Sequence, residues 1–327
     1  MKDQDEAELC FPQLLNASCR KPKLNQSDRV LMYLLFCISA FTVALNLLII
    51  ISVSHFRQLH TPTNLLILSL AVSDFLYGLV TLFEANRQTA CWLFGDIMCC
   101  LHIYVSSVCF YASVSDMVLI SVDRFVAICD PLHYPTRVTV RRVKMGICTC
   151  WICSVVYYSM ILKNELIQPG RNNSCYGQCV VFIPLIAGVV DIVWSFIAPI
   201  TVIIILYIRV FLTAVSQARA MRSHIAPSTF QHSGTIMVKK SELKAARTLG
   251  VVVVVFLMCY CPNFALTFII DGSVSDLPAA SGVFLLCISP CLNPVIYALF
   301  YPWLRKAVRL IFSLQILQPG SCETNML

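Results

Sequence analysis

The stretch Gly95-Asp-Ile-Met-Cys-Cys-Leu-His-Ile-Tyr-Val-Ser-Ser-Val-Cys-Phe-Tyr-Ala-Ser-Val-Ser-Asp-Met-Val-Leu-Ile-Ser-Val-Asp123-Arg124-Phe125-Val-Ala-Ile-Cys-Asp130 decides how the chain is read. Between Ile97 and Val122 the only charged residue is Asp116. As a helix, Cys99 to Arg124 spans roughly 38 Å, enough to cross a bilayer core with tilt. Ser106, Phe110, Ser113, Met117, Ile120 and Arg124 recur at helical spacing and share one face. Small polar groups and a charge at the foot do not suit a lipid-facing stripe, so this face should look onto protein or a cavity. A buried helix of a large soluble core is the competing reading, and the rest of the chain decides between them.

Outward from this span the composition is that of a membrane protein. Of 327 residues, 58% are hydrophobic and 13% charged, with mean hydropathy +0.77; soluble domains carry about 25% charged residues. The net charge of +7 does not point to nucleic acid, because no basic patch with interleaved aromatics occurs. The basic residues fill gaps between apolar runs, as membrane topology requires. Many of the 18 cysteines (Cys37, Cys109, Cys148, Cys150, Cys153, Cys259, Cys287) lie inside those runs and are expected to be free.

Seven apolar runs are expected to span the bilayer: Val30–Val53, Asn64–Phe83, the Gly95–Asp130 stretch, Met145–Leu162, Val180–Tyr207, Thr248–Ile270 and Leu277–Leu304. The domain expectation is an extracellular N-terminus over 1–29, a seven-helix bundle over 30–304, and an amphipathic helix with a cytoplasmic tail over 305–327. Arg305 to Leu314 alternates basic and apolar residues, as in a helix lying on the inner leaflet. If the N-terminus is outside, 16 of the 24 Lys and Arg fall on the inner side, which the positive-inside rule favours. The sequons at Asn16, Asn25 and Asn172 then fall outside, and so do the cysteines that lie between the runs.

Set in order, one group of motifs per span, the chain resembles the rhodopsin-like G-protein-coupled receptors. The motifs are Asn46; Leu70-Ala71-Val72-Ser73-Asp74; Asp123-Arg124-Phe125; Trp151; Pro199 with Tyr207; Phe256 to Pro262; and Asn293-Pro294-Val295-Ile296-Tyr297. The seventh span, with Tyr301 and Trp303 after that last motif, is similar to the fingerprint of the trace amine-associated receptors. Ser289-Pro290 replaces that fingerprint's opening Asn-Ser, and Leu304 its final Phe. The fold implied is an all-α seven-transmembrane bundle with a short eighth helix, in the plasma membrane. The activity implied is that of a receptor, not an enzyme. No resident cofactor is expected beyond an allosteric sodium ion. The partners implied are a small amine and a heterotrimeric G protein of the stimulatory or olfactory class, with membrane lipid and no nucleic acid. The resemblance also implies disulfides Cys99–Cys179, Cys10–Cys175 and Cys19–Cys91, although the cysteines themselves leave several connectivities open.

Buried ionisable groups cost roughly 2.5–3.5 kcal/mol each on insertion scales, so each needs a reason. Asp74, with Ser113, Asn293 and Ser289, matches the family's sodium pocket, and its oxygens suit a hard cation; a water-filled polar cluster is the alternative. Arg124 is expected to be restrained by Asp123 and Glu242, with Tyr207 and Tyr297 joining its release; a snorkelling interfacial arginine is the alternative. Tyr260 stands where these receptors carry tryptophan, and Ser106 where amine receptors carry the ammonium-binding aspartate. Asp191, in span five, is then the expected ammonium partner, facing Ser106 across one cavity, as in teleost-type members with a relocated acid. The alternative is a structural Asp191 bonded to Ser195. Ser107, Phe110, Ser195, Tyr260, Asn263, Phe264, Val283 and Cys287 complete the expected ligand lining. Glu84 is expected in headgroup water, and Asp116 in a structural role. Two further function classes compete: the same receptor fold with a non-amine ligand or constitutive signalling, and, more remotely, a transporter or channel. The odd number of spans and the lack of internal repeats oppose the last.

Overall fold

The computed structural model describes residues 8–14, 16–21, 25–89, 91–171, 173–181, 183–223, 250–251, 253–262 and 276–326. The chain is a helical bundle. Its elements are α1 (Gln26–His55), α2 (Pro62–Thr89), α3 (Gly95–Cys129), the short α4 (Tyr134–Arg137), α5 (Val140–Ile161), the short α6 (Lys163–Ile167), α7 (Leu185–Ile192), α8 (Ala198–Ser223), α9 (Val253–Pro262), α10 (Asp276–Phe300) and α11 (Pro302–Phe312). A π turn over Val193–Ile197 joins α7 to α8, so span five is one interrupted helix. Among the described residues, five spans are long and apolar enough to cross a membrane, and α10 with α11 makes a sixth that bends by 102°.

Six of the expected spans correspond to α1, α2, α3, α5, α7 with α8, and α10, several helices running a few residues or more beyond the expected bounds, and the described part of span six is helical; prolines account for the start of span five and the end of span seven. Span five was expected from Val180, but Val180–Ile183 is not helical and the helix starts at Leu185, after Pro184. Pro184 fits just ahead of the first turn, because it lacks the N–H that a helix interior needs. Span seven was expected to reach Leu304, but α10 ends at Phe300. Pro302 opens a new helix whose Trp303, Leu304 and Ala307 are buried while Arg305 and Lys306 face out. The amphipathic helix therefore begins earlier than Arg305 and ends at Phe312.

Bundle sides follow from the sequence. On α1, Tyr33, Leu34, Phe36 and Phe41 are exposed, and on α5 Met145, Ile152, Val155, Val156 and Met160 are too. Such a belt suits a hydrocarbon solvent. Inside, α3 is buried along much of its length, with Cys109 and Ala112 covered and Val114, Met117 and Ile120 packed against α2, α8 and α9. Asp116 holds three helices together. Its Oδ2 accepts from Ser69 Oγ at 2.8 Å, and Ser69 Oγ accepts from Trp151 Nε1 at 3.1 Å. That is the structural role expected of it. Among the cysteines, the seven named inside apolar runs are free.

The disulfide end of the bundle corrects the expected pairing. Cys99–Cys179 forms, but the other two bridges are Cys10–Cys91 and Cys19–Cys175, not Cys10–Cys175 and Cys19–Cys91. Backbone register explains the exchange. Cys10 N–H donates to Cys19 C=O at 2.9 Å, which folds the N-terminal segment back on itself, and that segment then pairs with the loop after α6 through Cys19 N–H to Tyr176 C=O (2.9 Å) and Tyr176 N–H to Ala17 C=O (2.7 Å). This sets Cys19 beside Cys175. Trp92 N–H donates to Gly177 C=O at 2.9 Å, and Cys10 packs directly on Gly177, which brings Cys10 to Cys91. Gly177 has φ +103°, and an added Cβ would lie 2.8 Å from Cys10 Cβ. Gly177→Ala therefore meets both backbone strain and a clash. Its expected outcome is a loss of cell-surface receptor well beyond that of an alanine elsewhere in the loop, read by surface immunolabelling. Peptide mapping of unreduced receptor should recover the Cys10–Cys91 and Cys19–Cys175 peptides; the swapped pairs would overturn this register.

Candidate functional site

Three polar clusters lie along α3. At mid-depth, Asp74 accepts from Asn293 Nδ2 at 2.8 Å and from Ser113 Oγ at 3.3 Å. Asp74, Ser113, Asn293 and Ser289 are all buried. Asn46 stands beside them and donates to the carbonyls of Thr42 and Pro290, both at 3.0 Å. Pro290 cannot give an N–H within α10, and Asn46 ties the helix to α1 at this point. Among the described residues Asn293 Oδ1 is buried without a hydrogen-bond partner, a pattern that marks a site for water or an ion. Carboxylate, hydroxyl and orphaned amide oxygen together fit a sodium ion. Among the described residues no group of three or more His, Cys, Asp or Glu is placed to hold a metal.

At the foot of α3, Arg124 is held by its neighbour. Its Nε and Nη2 donate to Asp123 Oδ2 at 2.9 and 2.5 Å. Two residues that sequence reasoning missed complete the latch. Thr63, at the start of α2, accepts from Arg124 Nη2 at 2.7 Å and donates to Asp123 Oδ2 at 3.0 Å. Tyr134, on α4, donates to Asp123 Oδ1 at 2.8 Å. Burial, and then the Asp123 charge, push the Tyr134 hydroxyl up to about 12, so it stays a donor through the physiological range. Neither residue is charged, and only the fold brings them to Asp123. The hydroxyls of Tyr207 and Tyr297 are buried without a hydrogen-bond partner among the described residues. Glu242 lies outside the described residues, as do Asn172, Asn263 and Phe264, and the side chain of Val283.

At the disulfide end the expected ligand residues divide into two groups. Ser106 and Ser107 line a cavity of about 320 Å³ with Glu84, Arg87, His102, Val180, Val181 and Ile183. Asp191 is not in that lining. It is half-buried and turned to span four, where Tyr158 Oη donates to its Oδ1 at 3.1 Å. The expectation that Ser106 and Asp191 face each other across one cavity is thus corrected. A carboxylate in an apolar helix takes the nearest donor, and that donor is on α5. Nor does Ser195 bond the carboxylate. Its hydroxyl donates to the Asp191 carbonyl at 2.6 Å, within the π turn just below; such turns recur at functional sites. Glu84 is not in headgroup water either: it is 8% exposed and paired to Arg87 and His102. Deeper, Phe110 meets the Tyr260 ring at 5.3 Å, and Tyr260 stacks on Phe256 at 4.2 Å. Cys287 is buried with Leu35 against Tyr77 and Phe284 on the α1 side.

This architecture matches a known family model. Residues 45–297 match the model of the 7 transmembrane receptor (rhodopsin family). Over 99% of its length the chain is 38% identical to trace amine-associated receptor 8a of Rattus norvegicus, covering 97% of that protein. The chain belongs to the trace amine-associated receptors. It is also 34% identical to receptor 13c of Danio rerio, over 99% of the chain and 98% of that protein. Against receptor 6 of Homo sapiens it is 34% identical, over 98% and 95%. As a member of this family the chain is a multi-pass membrane receptor and not an enzyme.

Proposed function

We propose that this trace amine-associated receptor lies in the plasma membrane with its N-terminus outside, binds a small amine at the disulfide end, and activates a heterotrimeric G protein of the stimulatory or olfactory class. The observation that carries the amine is Asp191, a half-buried carboxylate in an apolar helix whose one hydrogen bond among the described residues comes from a neutral hydroxyl. A neutral donor leaves the charge uncompensated, and an ammonium is the partner it lacks. Phe110 and Tyr260 offer aromatic faces for the rest of the ligand. The relatives' names support the same class of ligand. Orientation rests on the distribution of Lys and Arg and on the exposed sequon residues Asn16 and Asn25.

In this reading a sodium ion sits on Asp74, Ser113 and Asn293, with Ser289 beside them, and steadies the resting bundle. Release of Arg124 from Asp123 then opens the surface that a G protein engages, and Glu242, Tyr207 and Tyr297 take part in that release. The test is a cyclic-AMP assay in cells expressing the receptor, screened against monoamines, diamines and uncharged isosteres. Amines alone should raise the signal. A response to the isosteres at equal potency would remove the ammonium from the account, and silence toward every amine would remove the ligand class.

A further inference from the structure

Beyond α11 the chain doubles back on the bundle. Leu314 takes φ +55° and Gly320 φ +80°, and two short 3-10 turns, Gln315–Leu317 and Ser321–Glu323, bring the tail to the turn between α1 and α2, Arg57–Leu59. Left-handed backbone is costly for a leucine, so contacts further along the tail must hold it there. Those contacts are specific. Ser321 Oγ donates to Ile316 C=O at 2.6 Å, so it accepts from His55 Nε2, 2.9 Å away at the end of α1. Gln58 Oε1 accepts from Met326 N–H at 2.9 Å, and Lys306 on α11 donates to the Asn325 carbonyl. Met326 is 3% exposed and belongs to the apolar cluster that holds Phe56, Leu59, Trp303 and Leu304. Its burial is what drives the tail onto the turn. Glu323 and Arg57, 3.6 Å apart and both exposed, add little.

The turn that the tail grips leads straight into the Arg124 latch. Thr61 N–H donates to Leu59 C=O at 2.8 Å, and Thr61 caps the first turn of α2, its Oγ1 accepting from Asn64 N–H at 3.3 Å. Thr63, in that first turn, bonds both Arg124 and Asp123. We propose that the docked tail is an autoinhibitory strap: by fixing the α1–α2 turn it sets the position of Thr63, and Thr63 keeps Arg124 held. The proposal rests on the reading that release of Arg124 starts signalling, and it adds a restraint from the far end of the chain.

The experiment reads basal cyclic AMP per surface receptor in cells expressing the full chain. Met326→Asp puts a charge into the buried slot, and Ser321→Ala removes the partner of His55 without touching Met326. Each should raise the basal signal about fivefold, the scale of one net hydrogen bond of lost restraint. Met326→Leu refills the slot and should stay at the wild-type level. Because the strap acts through Thr63, either variant added to Thr63→Ala should raise the signal no further. An unchanged basal signal in Met326→Asp, or a gain that persists in full in the Thr63→Ala background, overturns the proposal. Amide exchange on the purified receptor keeps that outcome apart from the choice of G protein: Met326→Asp should speed exchange over residues 57–65 as well as 315–326. A released tail with residues 57–65 protected as in the wild type overturns the strap. Faster exchange at 57–65, with no cyclic-AMP response from any variant or from amine-treated wild type, leaves the strap standing and places the failure in the signalling reading.

Discussion

Replacing Asp191 with alanine raises the amine concentration needed for a half-maximal response by about 30- to 4,000-fold. That range follows from roughly 2–5 kcal/mol for truncating one partner of a buried charge pair, at about 1.4 kcal/mol per decade. Asp191 has a second relationship that must be separated from this one, its hydrogen bond from Tyr158 at 3.1 Å. If the carboxylate merely ties span five to span four, an acceptor of any charge will serve. Asp191→Asn keeps an acceptor for Tyr158 and discards the charge. It should lose potency almost as completely as Asp191→Ala, while Tyr158→Phe should shift potency no more than about tenfold, the scale of one hydrogen bond. Asp191→Glu should retain part of the response. Full potency in Asp191→Ala, at equal surface expression, would falsify the anchor.

The spans were legible before the structure because a bilayer demands long uncharged runs, and few sequences satisfy that by accident. Pro184 and Pro302, both visible in the sequence, moved the helix ends by a few residues; hydropathy alone does not register a missing N–H. Asp74, Ser113 and Asn293 were legible as a cluster through the resemblance, and they meet. The disulfide exchange was not legible. It turns on how residues 17–19 register against Tyr176 and on the empty side of Gly177, both tertiary facts. Asp191's turn toward Tyr158 was hidden for a related reason. Depth along a helix can be counted from sequence, but the π turn at Val193–Ile197 alters which way the helix faces. The bidentate hold of Arg87 on Glu84 required knowing that α2 continues past Phe83.

Arg124→Ala should abolish G-protein signalling while ligand affinity stays within a few-fold. The two sites are far apart: along α3, Phe110 of the ligand lining lies 14 residues from Arg124, roughly 21 Å of rise. Loss of the arginine therefore leaves the amine contacts untouched and removes the side chain that a G protein would meet. The latch around it predicts the opposite phenotype for its minor partners. Thr63 bonds both Arg124 and Asp123, and Tyr134 bonds the other oxygen of Asp123. Each bond to a charged group is worth roughly 1.5–3 kcal/mol. Thr63→Ala and Tyr134→Phe should thus weaken the hold on Arg124 and raise ligand-independent signalling about tenfold or more. The full shift appears only as far as the released state remains the minor one. The measurement is basal cyclic AMP normalised to surface receptor, beside ligand binding on the same cells. A normal response in Arg124→Ala would remove the arginine from the transduction path. Unchanged basal signal in both Thr63→Ala and Tyr134→Phe would mean that the contact with Asp123 does not hold the receptor at rest, and that the restraint lies elsewhere along α3.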